Sequence, residues 1–291
     1  MATSAPTAYC VVAKRQHMQK TSLSENTLPA TDPDTPFRIL WRDEHLIAIY
    51  KPAAWLVHRT GLDAGETRFV VQTLRDQIDQ HVYPLHRLDK GTCGVLLLAL
   101  HPEAASRARV MFETHTIRKR YLAMVRGFAP LHSDVDHALR PDDAPADAPA
   151  QPAQTQLCRL ATLDYPQAYE PRFTGTRLSL VQALPHTGRR HQIRRHLKHI
   201  AHPIIGDATH GKGPLNRWWA ERLGLQRLWL HAWDVQFNHP YSQEPLHIAS
   251  GLYLPWATSN GAVEPAQNSS QTHWQSLLAH PFWHADPQHI A

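Results

Sequence analysis

"PLHRLDKGTCGVLLLAL", residues 84–100, runs from a charged tetrad through two glycines into a wholly apolar run. "GVLLLAL" shows no polar residue at alternate positions, so it reads as a strand covered on both faces and hence as the middle of a sheet. If residues 85–89 before it are extended, their side chains alternate: Leu88 turns into the core, and Arg87 and Asp89 turn together to the other side. Gly91 and Gly94 allow a tight turn, or the close approach of another backbone, between the charges and the strand. The pattern alone reads first as a structural Arg–Asp interaction at a strand entrance, and second as two charges facing a cleft.

The neighbouring segments build outward from this strand. "LIAIYKP" (46–52) reads as a strand stopped by Pro52. In "TRFVVQTLRDQIDQ" (67–80), Val71, Leu74 and Ile78 share one helical face. "PEAASRARVMFETHTI" (102–117) opens a helix on Pro102 and groups Ala105, Ala108 and Phe112. "KRYLAMVRG" (119–127), "TRLSLVQAL" (176–184) and "LWLHAWDVQFNHP" (228–240) read as further strands. Strands outnumber helices without regular alternation, which gives an α+β domain on a mixed, largely antiparallel central sheet with flanking helices. The domain is expected over 37–257. Residues 1–36, rich in Ala, Thr, Ser and Pro, read as a disordered extension; their acid-free first part, with Lys14, Arg15 and Lys20, faintly echoes a transit peptide. "RPDDAPADAPAQPAQ" (140–154) reads as a surface insertion that does not pack. Residues 258–291 form a polar tail in which Trp274, Leu277, Leu278, Phe282 and Trp283 mark a short docked piece.

The chain of 291 residues is ample for a core, and its longest apolar run, 95–100, is too short to span a membrane. Cys10, Cys93 and Cys158 are odd in number and far apart, which argues against a disulfide framework or a cysteine-rich zinc site and fits a cytoplasmic setting. The 22 histidines are scattered; His196 and His199 sit one helical turn apart but lack further ligands, so no metal is expected. The net charge of +5 is mild, but its placement is not. "HTGRRHQIRRHLKH" (186–199) holds Arg189, Arg190, Arg194, Arg195 and Lys198 with no acid, and phosphate binding is at least as good a reading as a solvated face. At about 100° per residue, Ile193, Leu197 and Ile200 make an apolar stripe with Arg194 at its flank. His191, Arg195 and Lys198 point further out.

"HRLDKGTCGVLLLAL", "IRKRYLAMVRG", "HTGRRHQIRRHL", "HPIIGD" and "RLWLHA" follow one another in this order. Together they resemble the RluA-type pseudouridine synthases, whose hallmark is an HRLD motif followed by a T-S-G turn. The resemblance covers about 37–257. Through "YKPAAWLVHRTGLD" and "TLRDQIDQHVYPLHRLD" it is nearest to the branch acting on uridine 65 of tRNA. Two departures stand out: Cys93 replaces the usual serine, where it should pack as a small residue, and the 140–154 insertion is unusually rich in Pro and Ala.

The resemblance implies the pseudouridine synthase fold and an isomerisation that needs no cofactor. The uracil N–C bond breaks, the base turns, and it rejoins the sugar through carbon. An ionised carboxylate acts either as nucleophile or on a sugar proton. By motif position this is Asp89, with Arg194 as the cation that keeps a desolvated carboxylate charged. Tyr121 is implied to stack on the uracil, and Arg87 to enter the stack left by the flipped nucleotide. His86, Arg189, Arg190, Arg195 and Lys198 are the expected RNA contacts. The expected partner is tRNA, with no membrane, no obligatory protein partner and a monomeric enzyme. The same reaction on another tRNA or ribosomal RNA uridine, and an RNA-binding or RNA-folding protein with dispensable catalysis, remain as alternatives.

Overall fold

The computed structural model describes residues 37–58, 65–142, 144–145, 147–256 and 268–287; the expected 1–36 extension lies outside them. Strands follow the chain as β1 (Ile39–Arg42), β2 (Leu46–Lys51), β3 (Tyr83–Pro84), β4 (Cys93–Ala99), β5 (Arg118–Arg126) and β6 (His132–Asp136). They continue with β7 (Gln154–Tyr165), β8 (Thr176–Pro185), β9 (Leu230–Asn238), β10 (Pro245–Ala249) and β11 (Trp283–Ala285). The helices are α1 (Val70–Ile78), α2 (Pro102–Glu113), α3 (Gln192–His199), α4 (Gly213–Leu223) and α5 (Ser269–Leu278).

All the strands join one sheet, whose main path is β1-β2-β4-β9-β5-β8-β7-β11; β3 pairs with β4, β6 with β7 and β10 with β9. Among the described residues β4 and β9 form the only parallel strand pair, through Cys93↔His231 and Gly94↔Ala232. The sheet is therefore mixed and largely antiparallel, as expected. Every residue of β4 is buried. Leu96 and Leu98 face the larger core cluster, and Val95, Leu97 and Ala99 face a smaller one. Helix α2 covers the smaller cluster with Ala104 and Ala108. The other helices supply Val70, Leu74, Leu197, Trp219 and Trp274 to the larger one. Cover on both faces explains the unbroken apolar run.

Local signals set the helices. Pro102 stands at the start of α2, and the ring of His101 caps it by accepting the Ala104 N–H at 3.3 Å. The buried face of α1 is turned by one residue from expectation: Val70 and Leu74 are buried, while Val71 and Ile78 are half-buried. The Val70 N–H bonds the Leu56 carbonyl at 2.8 Å and so fixes how the helix begins. In α2 likewise, Ala104 takes the core position expected of Ala105.

Two boundaries are refined by the structure. The 140–154 insertion is the connection of the β6–β7 hairpin; its described residues stay mostly at the surface, as expected, but its ends are tied to the fold. Leu139 and Ala153 are buried, and Leu139 and Gln151 exchange backbone hydrogen bonds of 2.8 and 3.0 Å. Past residue 257 the chain returns to the sheet. Trp274, Leu277 and Leu278 of α5 are buried, and β11 pairs with β7 through Trp283↔Leu163. Arg159 and Asp286 clamp this addition with bonds of 3.0 Å. The folded unit therefore reaches Asp286.

Candidate active site

The turn before β4 holds the charges. Leu88 is buried, Asp89 half-buried and Arg87 exposed, the alternation an extended segment requires. The Thr92 N–H bonds the Asp89 carbonyl at 3.0 Å, closing a turn. Gly94 has φ 111°, and a Cβ there would lie 2.1 Å from the carbonyl oxygen of Ala232 on β9, so only glycine fits. Lys51, at the end of β2, reaches beneath the turn and donates to the carbonyls of Pro52 and Lys90 at 2.9 and 3.3 Å. It is wholly buried; burial brings its ammonium down to about 7, opposed by the charges of Cys93 and Asp89. Cys93 is more than a small packing residue. Arg227 donates to its sulfur at 2.9 Å, and Nδ1 of His231 lies 3.2 Å away. Burial pushes the thiol up, but Arg227 and His231 outweigh it and bring it down to about 5.

Helix α3 delivers the cation. Nη1 of Arg194 donates to Oδ2 of Asp89 at 2.9 Å, while Nε and Nη2 donate to the two oxygens of Asp207 at 2.7 and 2.8 Å. One guanidinium thus joins two carboxylates, one by a planar bidentate pair. Burial opposes the charge on Arg194, but its bonds to Asp207 and the charges of both aspartates raise its pKa. Burial likewise pushes Asp207 up; its bonds from Arg194 and the His210 N–H more than offset that and lower it. Asp207 is fully shielded, whereas the Asp89 side chain keeps 30% of its surface exposed. The site therefore presents an accessible carboxylate on a buried, immobilised cation. Such a group can attack an electrophilic carbon or accept a proton.

Tyr121 of β5 is buried nearby, and burial together with the Asp89 charge raises its phenol well above the ordinary value. His86, expected to contact RNA, is turned inward instead. Its Nε2 accepts the Leu97 N–H at 3.0 Å, its ring stacks on Phe112, and burial lowers it to about 3, so it is a neutral acceptor. Asp207 and Lys51 were not singled out from sequence. Asp207 closes the "HPIIGD" motif, but nothing local announces its bond to Arg194, and a lysine at a strand end looks solvent-bound.

The other arginines of the basic segment are not bare. Arg189 Nε donates to the Pro152 carbonyl at 3.0 Å, and Arg195 Nη1 to that of Arg140 at 2.6 Å. Asp142 pairs with Arg195 at 3.3 Å, with His191 at 3.1 Å and with Arg190 at 3.9 Å. Lys198 is exposed. His191, expected to point outward, lies 3.9 Å from Oδ1 of Asp89 because its left-handed backbone (φ 55°) ahead of α3 turns it into the site. His196 bonds Thr155 and the His137 carbonyl, and His199 stacks on His137, so those two do not form a ligand pair. Asp142, His191 and His210 do bring ligand atoms within 4.8 Å of one another, a grouping invisible in sequence. Among the described residues, no helix is long and apolar enough to cross a membrane.

The RNA pseudouridylate synthase family profile matches residues 45–199. The tRNA pseudouridine synthase C of Vibrio cholerae is 47% identical over 225 residues, covering 75% of this chain and 92% of that protein. Its namesake from Yersinia pestis is 46% identical over 225 residues, covering 75% and 87%. The solved human RNA pseudouridylate synthase domain containing 1 superposes with a TM-score of 0.58 at 23% identity, covering 87% of this chain and 99% of its own. The fold is shared across that distance. The chain belongs to the RNA pseudouridylate synthase family, RluA type, and is an isomerase of uridine in RNA.

Proposed function

We propose that this protein converts uridine 65 of tRNA to pseudouridine, with Asp89 as the group that acts on the target nucleotide. The observation that carries the reading is the accessible Asp89 carboxylate, held through one oxygen by a guanidinium that Asp207 fixes from behind. The tRNA assignment leans on relatives of 44–47% identity that carry the name tRNA pseudouridine synthase C.

The chemistry balances within the nucleotide. The bond from uracil N1 to the sugar breaks, the base turns, C5 bonds to the sugar, C5 loses a proton and N1 gains one. Nothing is oxidised, so no cofactor enters. Asp89 serves either by attacking the sugar or by taking a sugar proton, and its pairing with Arg194 suits both. Tyr121 stacks on the uracil. The target leaves its helix at a cost of a few kcal/mol, which Arg87 offsets in part by stacking in the vacated space. Arg189, Arg190, Arg195 and Lys198 meet RNA phosphates.

The test is chemical mapping of pseudouridine in tRNA and ribosomal RNA from cells with and without this protein. Loss of one signal, at tRNA position 65, is the expected result. Loss at a different uridine would overturn the target and keep the chemistry. If no signal changes and the purified protein converts no uridine in either RNA, the enzymatic reading falls.

A further inference from the structure

The β6–β7 connection lies along helix α3 as a strap, and its attachments use the residues that RNA would need. Arg189 and Arg195 donate to its carbonyls, His196 lies 3.0 Å from the His137 carbonyl, and His137 stacks on His199 with ring centres 3.9 Å apart. The strap also brings in a negative charge. Oδ1 of Asp142 lies 3.3 Å from Arg195, and Oδ2 lies 3.1 Å from His191 and 3.9 Å from Arg190. Asp142 and His191, with His210, have the spacing of metal ligands. Two guanidiniums share that carboxylate, however, so the pocket of charge suits an anion and repels a cation. His191 Nε2 is also 3.9 Å from Oδ1 of Asp89, so the anion site adjoins the carboxylate assigned to the chemistry.

We propose that Asp142 stands in for an RNA phosphate: it fills an anion site made by Arg190, His191 and Arg195, and the strap yields when a backbone phosphodiester takes its place. This rests on reading α3 as an RNA-facing helix. The two oxygens of Asp142 mimic the two unbridged oxygens of a phosphodiester, the group that guanidiniums bind in pairs. A phosphate seated there belongs to the target nucleotide or its neighbour and fixes its sugar relative to Asp89. RNA without a phosphate at that place gains nothing from displacing the strap.

The experiment compares binding of an unmodified tRNA transcript by full-length wild type, Asp142→Asn, Asp142→Glu and Asp147→Asn over a range of potassium chloride, with pseudouridine formation followed in parallel. Asp147 is exposed on the same strap, so its variant controls for net charge alone. Asp142→Asn is expected to bind about two- to fivefold tighter at low salt, the range an exposed ion pair contributes. Its salt dependence should steepen, because a site relieved of the Asp142 charge holds solution anions that RNA then releases. Asp142→Glu should behave as wild type and Asp147→Asn should show the smaller change. Weaker or unchanged binding by Asp142→Asn, or an equal gain from Asp147→Asn, would overturn the proposal. Wild-type protein that binds but forms no pseudouridine would sink the functional reading instead, and the comparison of variants would still decide this one.

Discussion

Arg194 makes three directed bonds from one planar group, two to Asp207 and one to Asp89. A lysine carries the same charge without the fork. Arg194→Lys is therefore expected to lower turnover by at least about 100-fold, since misplacement of a reacting group by about 1 Å costs that much. Single-turnover rates would check it, and a rate within tenfold of wild type would contradict the geometry. Asp207→Ala removes one partner of a buried pair and should cost about 3–5 kcal/mol in urea unfolding. Asp89 and Arg194 were legible in the sequence because each ends a recognisable motif. Asp207 was not. Its bond to Arg194 spans 13 positions and depends on the turn after α3, which no periodicity reveals.

At the scale of elements, β4 and the turn before it were readable as a doubly covered strand with a charged doorstep. The environment of His86 was not, because an inward acceptor and an outward ligand look alike in a one-dimensional pattern. Its burial gives a pH signature. The folded ring titrates at about 3, so as pH falls below the ordinary value of 6.5 the unfolded chain takes up a proton that the folded one refuses. Stability should drop from pH 6.5 toward pH 3, with His273, lowered by burial to about 4, adding to the loss. Melting temperatures measured from pH 7 to pH 4 would show a shallower fall for His86→Asn than for wild type. Equal slopes would mean that the ring is not buried as a neutral acceptor. The strap's place at the surface is legible from its composition, but its attachment by backbone hydrogen bonds and the arginines of α3 is not.

Across the whole molecule, one sheet runs from Ile39 to Ala285, and its last strand comes from a segment that composition alone reads as a tail. The apolar spacing of Trp274, Leu277 and Leu278 was visible, but the packing of Trp274 against Trp229 and His231 was not, because it is set by distant partners. Trp274 is wholly buried and packs edge-on against Trp229 with ring centres 5.3 Å apart. Trp274→Ala should cost about 3–5 kcal/mol in urea unfolding, and a loss near zero would place α5 outside the folded core. Isomerisation of a tRNA uridine by Asp89 can be read with purified protein. Unmodified tRNA transcript incubated with wild type or with Asp89→Asn would be mapped for pseudouridine, and binding measured on the same samples. One new signal at position 65 is expected with wild type, and none with Asp89→Asn despite retained binding. Full conversion by Asp89→Asn would contradict the role of Asp89.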